Sequence, residues 1–269
     1  LGIKFEHNAA NAPVALNGSL KIEETRAVPG ISAKLNTIAK IRGEYVIASK
    51  YDFWFLNADL SPKFHAAMDP WFSANVLDLV GITALDKDAY VLMGSNKSLL
   101  RVLQNPEADD VQGWPNFTAG RSHIEAVGGL GRARIDTERA KFSYIHSSAT
   151  DGRYVFMATV PDNKNKKQFV ISKALMKDWM LSGEFVPTAE MLKKDRSLGE
   201  LYVTGMVYED GKLYAVSKNW NVLVVIDVAQ EAVVEAWGLP EELTDIRGLV
   251  KDGSTFEVID ANRVVKLTM

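Results

Sequence analysis

The 269-residue sequence contains no cysteine and carries little net charge. Without cysteine the chain can form no disulfide, thiolate nucleophile, zinc–thiolate site or iron–sulfur cluster. A formal net charge of −3 and a sequence pI near 5.9 argue against nucleic acid as a partner, because nucleic-acid binders usually carry a basic face. No apolar run reaches the roughly eighteen residues of a spanning helix, so we expect no membrane insertion of this segment.

The composition is that of a globular domain, with 47% hydrophobic and 24% charged residues. A sizeable core can form from this content, and we expect a single domain over residues 20–269. Residues 1–19 are expected to be a tether, because Glu6–Pro13 is small and polar. A frayed terminus is the alternative. The chain begins at Leu1 rather than Met, and we therefore predict an extracytoplasmic domain, periplasmic or secreted.

Residues Leu201–Leu239 contain the clearest structural pattern in the sequence. The four apolar runs in this stretch are Thr204–Tyr208, Leu213–Ser217, Val222–Val228 and Ala232–Trp237. Asp210-Gly211 separates the first two runs, and Asp-Gly between β-type runs is a strong hairpin signal. Four antiparallel strands in about forty residues match one blade of a β-propeller.

Further units with a similar order of runs begin near Asn36, Val80, Phe142 and Arg247. In each unit a small residue precedes a large apolar one near the start of the first strand. The five pairs are Thr37-Ile38, Gly81-Ile82, Ser143-Tyr144, Gly205-Met206 and Gly248-Leu249. A small residue would let the innermost strands approach closely at an axis, and recurrence at a fixed period indicates a repeat architecture.

We therefore predict an all-β fold, namely a β-propeller with five four-stranded blades. We also expect the protein to be a monomer. The last unit is one strand short, and the strand candidate Leu20–Val28 has no hairpin partner. We expect this N-terminal strand to join the last blade and close the ring, which removes an exposed edge. Residues 104–140 are predicted to be a long insertion. If they hide another sheet, the ring has six blades.

Two stretches resemble known repeat propellers. Val222–Trp237 (VLVVIDVAQEAVVEAW) resembles the third and fourth strands of NHL, YVTN and SdiA-regulated propellers, and Gly205–Ser217 (GMVYEDGKLYAVS) is similar to their first hairpin. The resemblance implies the architecture and no particular chemistry.

The same resemblance raises the question of a metal. SdiA-regulated and lactonase-type propellers hold calcium near the axis with Glu, Asp and Asn oxygens. The scattered oxygen donors in this sequence are Asn36, Asn221, Asp245 and Asp260. The acidic residue that those families place before the small residue is absent here, and Arg247 at one of these positions would repel a cation. We expect no cofactor, and calcium is the open alternative.

One face of such a propeller collects the second-to-third-strand turns and the blade-to-blade connections, and loops on this face usually carry function. Residues 104–140 combine aromatic surface with arginines around glycines, which suits an anion or an acidic peptide. A plain cover over the channel is the alternative. His146 is expected on an inner strand and Trp220 on a turn of the loop face. The candidate binding residues are Trp114, Arg121, His123, Arg132, Arg134, His146, Trp220 and Arg247.

These features favour a non-catalytic module that binds a protein or a small-molecule ligand on one loop face. The repeats and the absence of a catalytic motif support this interpretation, and no catalytic residue is assigned. A metal-assisted, lactonase-like hydrolase that uses the central channel is the alternative. A sensor or structural domain of a membrane-anchored protein is a third hypothesis.

Overall fold

The computed structural model describes residues 8–41, 43–50, 52–67, 79–84, 89–94, 98–105, 118–119, 121–126, 133–134, 142–161, 168–177, 180–190, 192 and 198–269. Short 3-10 helices lie at Ala9–Asn11 and Leu198–Glu200. Within these ranges no helix has the length and apolar character needed to cross a membrane. The first strands are β1 (Gly18–Ser19), β2 (Lys21–Ala27), β3 (Thr37–Ile41), β4 (Glu44–Ala48), β5 (Asp52–Leu56), β6 (Pro62–Ala67), β7 (Leu79–Ala84), β8 (Ala89–Gly94), β9 (Ser98–Asn105), β10 (Thr118–Ala119), β11 (Arg121–Ala126) and β12 (Ala133–Arg134). The later strands are β13 (Phe142–Thr150), β14 (Tyr154–Pro161), β15 (Ile171–Leu175), β16 (Leu181–Phe185), β17 (Thr188–Ala189), β18 (Val203–Glu209), β19 (Lys212–Ser217), β20 (Val222–Asp227), β21 (Ala232–Gly238), β22 (Ile246–Asp252), β23 (Thr255–Asp260) and β24 (Arg263–Thr268).

These strands form five sheets, numbered here in chain order. Sheet 1 contains β3–β6 with β10 on its outer edge, and sheet 2 contains β7, β8, β9 and β11, with β12 also on β9. Sheet 3 contains β13–β16, sheet 4 contains β18–β21 with β1 and β17 on β21, and sheet 5 contains β22–β24 with β2. The first strands contact one another in the order β3, β7, β13, β18 and β22, and β22 contacts β3. The predicted all-β propeller architecture is confirmed.

The middle strands are buried on both faces, which explains their unbroken apolar runs. In β20 the side chains of Val222, Val224 and Ile226 pack in the core between sheets 3 and 4. The alternate residues Leu223 and Val225 pack in the core between sheets 4 and 5. Each such side chain contributes about 1.5–3 kcal/mol when fully buried, so the sheets are held together mainly through their faces.

The first strands approach closely where the sequence predicted small residues. A Cβ atom on Gly205 would lie 2.5 Å from the carbonyl carbon and oxygen of Gly248. A Cβ atom on Gly248 would lie 2.7 Å from the backbone nitrogen of Ile38, and the φ angle of Gly248 is +70°. The predicted reason for small residues at these positions is therefore confirmed for sheets 4 and 5.

Sheet 3 differs from the predicted alignment. The residue that faces Gly81 of sheet 2 is Ser148, because a Cβ atom on Gly81 would lie 2.5 Å from the Ser148 hydroxyl oxygen. The predicted small residue, Ser143, is therefore the wrong one. β13 is longer than the other first strands and contains register shifts between Phe142 and Tyr144 and between Ile145 and Ser147. These irregularities move the close approach towards the Asp-Gly turn.

The N-terminal strand joins the last sheet, as predicted. β2 pairs antiparallel with β24, with Arg26 opposite Val264. The predicted tether is wrong from Asn8 onward, because Ala12 and Val14 are buried in the core between sheets 3 and 4. β1 also adds to sheet 4 by pairing with Trp237 and Gly238.

A polar network connects β2 with sheets 1 and 5. The hydroxyl of Tyr45 lies 2.7 and 2.6 Å from the two carboxylate oxygens of Glu257, to one of which it donates. An Nη atom of Arg26 lies 3.3 Å from the same carboxylate, and Lys40 Nζ lies 3.8 Å from it. Glu257 is buried, so the network places one desolvated carboxylate among two cations and a phenol.

The described part of the predicted insertion supplies outer strands. β11 pairs antiparallel with β9 and completes sheet 2, whose fourth strand could not be located in the sequence. β12 also pairs with β9, and β10 pairs with β6 of sheet 1. None of the strands described between residues 104 and 140 forms a sheet of its own.

Candidate functional site

Loops from different sheets meet at one end of the propeller axis. Lys218 follows β19 in a second-to-third-strand turn, and Asp245 lies in the connection between sheets 4 and 5. The ammonium of Lys218 lies 2.5 Å from Asp245 Oδ1, and that of Lys34, from the connection before β3, lies 2.9 Å from Oδ2. The prediction that these two sets of loops share a face is confirmed for the three loops that hold Lys34, Lys218 and Asp245.

Arg247 adds a third cation to the same carboxylate. Its Nε atom lies 3.2 Å from Asp245 Oδ1, and one Nη atom lies 3.5 Å from Asn36 Oδ1. We call Lys34, Lys218, Asp245 and Arg247 the cation cluster. Three positive side chains thus surround one negative side chain, so the cluster carries an excess of positive charge.

The backbone of Asp245 is anchored by a hydrogen bond to Asp260. The backbone N–H of Asp245 donates to Asp260 Oδ1 at 2.9 Å, and Asp260 Oδ2 accepts from Arg263 at 2.6 Å. Burial opposes ionisation of Asp245, but hydrogen bonds from Lys218 and Lys34 and the charge of Arg247 outweigh it and lower its pKa. Asp245 is therefore ionised at neutral pH.

The turn that carries Lys218 is anchored to neighbouring segments by side-chain hydrogen bonds. The side chain of Asn219 donates to the Glu200 carbonyl at 2.9 Å, and that of Asn221 donates to the Leu243 carbonyl at 2.6 Å. Asn221 has a φ angle of +51°, which asparagine tolerates better than most residues. Burial lowers the pKa of Lys218, and the hydrogen bond to Asp245 offsets this only in part. The turn thus presents a partly desolvated ammonium in a fixed position.

Trp220 lies in the same turn but not on its surface. It is only 4% exposed and packs in the core between sheets 3 and 4. The prediction that it is a surface-contact residue is therefore wrong. The flanking residues Asn219 and Asn221 donate to backbone carbonyls inside the protein. The turn therefore lies against the protein, and the indole of Trp220 is buried with it.

His146 lies on β13 beside the cation cluster. The hydroxyl of Tyr202 is 3.1 Å from each ring nitrogen of His146, and the two rings meet edge to face with centroids 4.8 Å apart. Burial, followed by the charges of Arg247 and Lys218, lowers the pKa of His146 to about 4. The imidazole is therefore neutral at neutral pH, next to two cations.

The structure thus brings together two of the predicted binding residues, His146 and Arg247. Arg121 and His123 lie on β11 and Arg134 lies on β12, at the edge of sheet 2 away from the first strand β7. Trp114 and Arg132 lie outside the described residues. Sequence reasoning assigned no binding role to Lys34 or Lys218, although both lie in loops that it placed on the loop face.

The predicted oxygen donors for calcium are used otherwise in the part of the chain that the structure describes. Asp245 contacts three cations and Asp260 binds Arg263, while the Asn221 amide is directed at carbonyl groups. Among the described residues there is no group of three or more His, Cys, Asp or Glu that could hold a metal ion. Side-chain cations take the place beside Asp245 that a metal would need.

Comparisons with known proteins address the fold. No protein-family model and no curated protein matches the sequence. The glutaminyl cyclase of Myxococcus xanthus aligns with a TM-score of 0.64 over 95% of this chain and 97% of its own, at 11% identity. The PQQ-bound aldose sugar dehydrogenase of Streptomyces coelicolor aligns with a TM-score of 0.55 over 95% and 99%, at 13% identity. The β-propeller domain of Cps50 (Swd1) from Myceliophteria thermophila gives 0.46 over 88% and 65%, at 9% identity. At these identities the first two alignments support the β-propeller fold alone and show nothing about the ligand of this chain.

Proposed function

We propose that this protein is a ligand-binding propeller that takes up a small carboxylate ligand at the cation cluster. The observation that carries the proposal is the convergence of Lys34, Lys218 and Arg247 on the single carboxylate of Asp245. Three cations around one anion leave an excess of positive charge that a second anion can neutralise. Charge-assisted hydrogen bonds of this kind are about twice as strong as neutral ones.

The internal carboxylate of Asp245 indicates which anion fits. It is planar and accepts from different cations through its two oxygens, so the donors already have the spacing that a carboxylate requires. We infer that Asp245 holds the three cations together in the free protein and competes with a carboxylate ligand for them. A ligand carboxylate would share these donors or displace Asp245 from some of them.

The exposure of the cations suggests the direction of approach. The Lys34 side chain is 55% exposed, whereas those of Lys218 and Arg247 are largely buried. A ligand would therefore meet Lys34 first and reach Lys218 and Arg247 next. The neutral His146 lies close enough to Arg247 and Lys218 for their charges to lower its pKa, so a ligand at the cation cluster would also change the environment of this imidazole.

Isothermal titration with succinate and citrate at low ionic strength tests this proposal. We expect saturable binding to the wild-type protein and a loss of about 10- to 100-fold in affinity for Lys218→Met, since a hydrogen bond to a charged group contributes about 1.5–3 kcal/mol. Asp245→Asn should bind more tightly than wild type, because the competing carboxylate is gone.

Lys212→Met is the matched control, because Lys212 begins β19 at the end opposite Lys218. This variant should bind like wild type. Equal affinity of Lys218→Met and Lys212→Met, or a loss of binding in Asp245→Asn, would contradict the proposal.

We further propose that sheets 1–5 are the five blades of a ring that the pairing of β2 with β24 closes. The order of contacts among the first strands supports this arrangement, as does the network of Arg26, Tyr45 and Glu257. The extracytoplasmic location, the monomeric state and the relationship to NHL-type propellers stay predictions.

A further inference from the structure

We propose that a second pocket, at the opposite end of the propeller axis from the cation cluster, binds a small neutral aromatic molecule. This axial pocket has a volume of 250 Å³ and is lined by residues from the first strands of all five sheets. Its mouth is formed by Lys40, Thr150, Tyr208 and Lys251, each close to the turn that leads into the second strand of its sheet. The pocket is independent of the anion binding proposed above.

Close approaches between neighbouring first strands lie on the cation-cluster side of the axial pocket, because Gly81, Gly205 and Gly248 directly precede the lining residues Ile82, Met206 and Leu249. Gly205 against Gly248, Gly248 against Ile38 and Gly81 against Ser148 leave no room for even a methyl group between the strands. Apolar side chains from four strands form the wall on the mouth side of these contacts, namely Ile38, Ile82, Met206 and Leu249. The pocket thus lies on the side of the Asp-Gly turns, and its lining combines these apolar side chains with the polar residues Lys40, Thr150, Tyr208 and Lys251.

The volume limits the size of the ligand. An apolar cavity of about 150 Å³ is enough to bind benzene, whereas pockets for drug-sized ligands have about 300–1,000 Å³. A pocket of 250 Å³ lies between these values and suits one substituted ring or a small fused ring. Met206 is one of the lining residues, which favours an aromatic ring as the ligand because sulfur–aromatic contacts are stabilising.

The mouth selects against charge. Lys40 Nζ lies 3.2 Å from Asp252 Oδ2, and Lys251 Nζ lies 2.6 Å from Glu209 Oε1. Each ammonium at the mouth is thus paired with a carboxylate, in contrast to the excess of cations in the cation cluster. A ligand with a net charge would have to break one of these pairs. A neutral ring can enter the pocket without doing so.

The experiment is a titration with indole, monitored by the ¹³C-methyl resonance of Met206 in methionine-labelled protein and assigned with Met206→Leu. We expect a saturable shift of the Met206 methyl signal in the wild-type protein, because the ring current of a bound indole acts on it directly. Ala39→Leu should abolish this shift, since Ala39 lines the pocket and a larger side chain there fills it. The wild-type signal makes the test independent of any effect of the substitution on folding.

Lys218→Met should leave the indole titration unchanged, which distinguishes the axial pocket from the cation cluster. Benzoate should shift the Met206 signal less than indole at the same concentration. The absence of a saturable Met206 shift in the wild-type protein, an unchanged shift in folded Ala39→Leu, or a larger response to benzoate would each overturn the proposal.

Discussion

Gly205→Ala is expected to destabilise the protein by about 3 kcal/mol or more, at the upper end of what overpacking costs. The new Cβ atom would lie 2.5 Å from the carbonyl carbon and oxygen of Gly248 and 2.8 Å from its Cα atom. These are backbone atoms, so no side chain can rotate away to relieve the clash. The strands β18 and β22 would have to separate, which would loosen the core between sheets 4 and 5. Urea unfolding monitored by circular dichroism measures the loss.

Gly183→Ala is the matched control for this prediction. Gly183 also lies in a strand, β16, but a Cβ atom there would meet only Lys173 Cε at 3.5 Å, an ordinary contact. Alanine at this position should be neutral or stabilising by about 0.5 kcal/mol, because it restricts the unfolded chain. Similar unfolding midpoints for the two variants would show that the first strands do not meet closely at the axis.

Glu257→Ala should cost about 3 kcal/mol of unfolding free energy, the range seen when one partner of a buried ion pair is removed. The substitution leaves Arg26 and the Tyr45 hydroxyl without their shared acceptor, and it removes the side-chain link between β2, Tyr45 of sheet 1 and β23. Tyr45→Phe should cost less, about 1 kcal/mol, since it removes one hydrogen bond and keeps the ion pair. Chemical denaturation of the single and double variants measures both effects and their coupling.

The control for Glu257 is Glu23→Ala, on β2 itself. Glu23 lies 3.5 Å from Lys266 and its side chain is 47% exposed. Exposed pairs of this kind contribute between about 0 and 1 kcal/mol, so the change should be small. If Glu257→Ala cost no more than Glu23→Ala, the attachment of the N-terminal strand would not depend on the buried network.

The parts of the fold that could be predicted are those with local signals. The unbroken run in β20 and the Asp-Gly step after β18 indicate a middle strand and a hairpin without reference to the rest of the chain. The close approaches at Gly205 and Gly248 were also predictable, because small residues recur at a fixed place in the repeat. The same rule misplaced the small residue of sheet 3, since register shifts in β13 leave no trace in composition.

The candidate site was only partly predictable. His146 and Arg247 could be assigned to first strands, and the loops that hold Lys34, Lys218 and Asp245 could be assigned to one face. Which of these side chains meet depends on how three separate connections fold, and no local pattern encodes that. Trp220 shows the same limit, because the inward direction of its neighbouring asparagines is decided by carbonyls that are distant in sequence.

The most direct test of the central claim, that a carboxylate binds at the cation cluster, is the pKa of His146 with and without ligand. The chain has four histidines, and the His146 signal in a proton NMR titration can be assigned with His146→Asn. Without ligand we expect a pKa of about 4, because burial and the charges of Arg247 and Lys218 disfavour the imidazolium. A bound carboxylate would offset those two charges and raise the pKa.

Saturating succinate should therefore shift the His146 titration to higher pH. A His146 pKa that does not change at saturating succinate would contradict the account, because it would place the anion elsewhere.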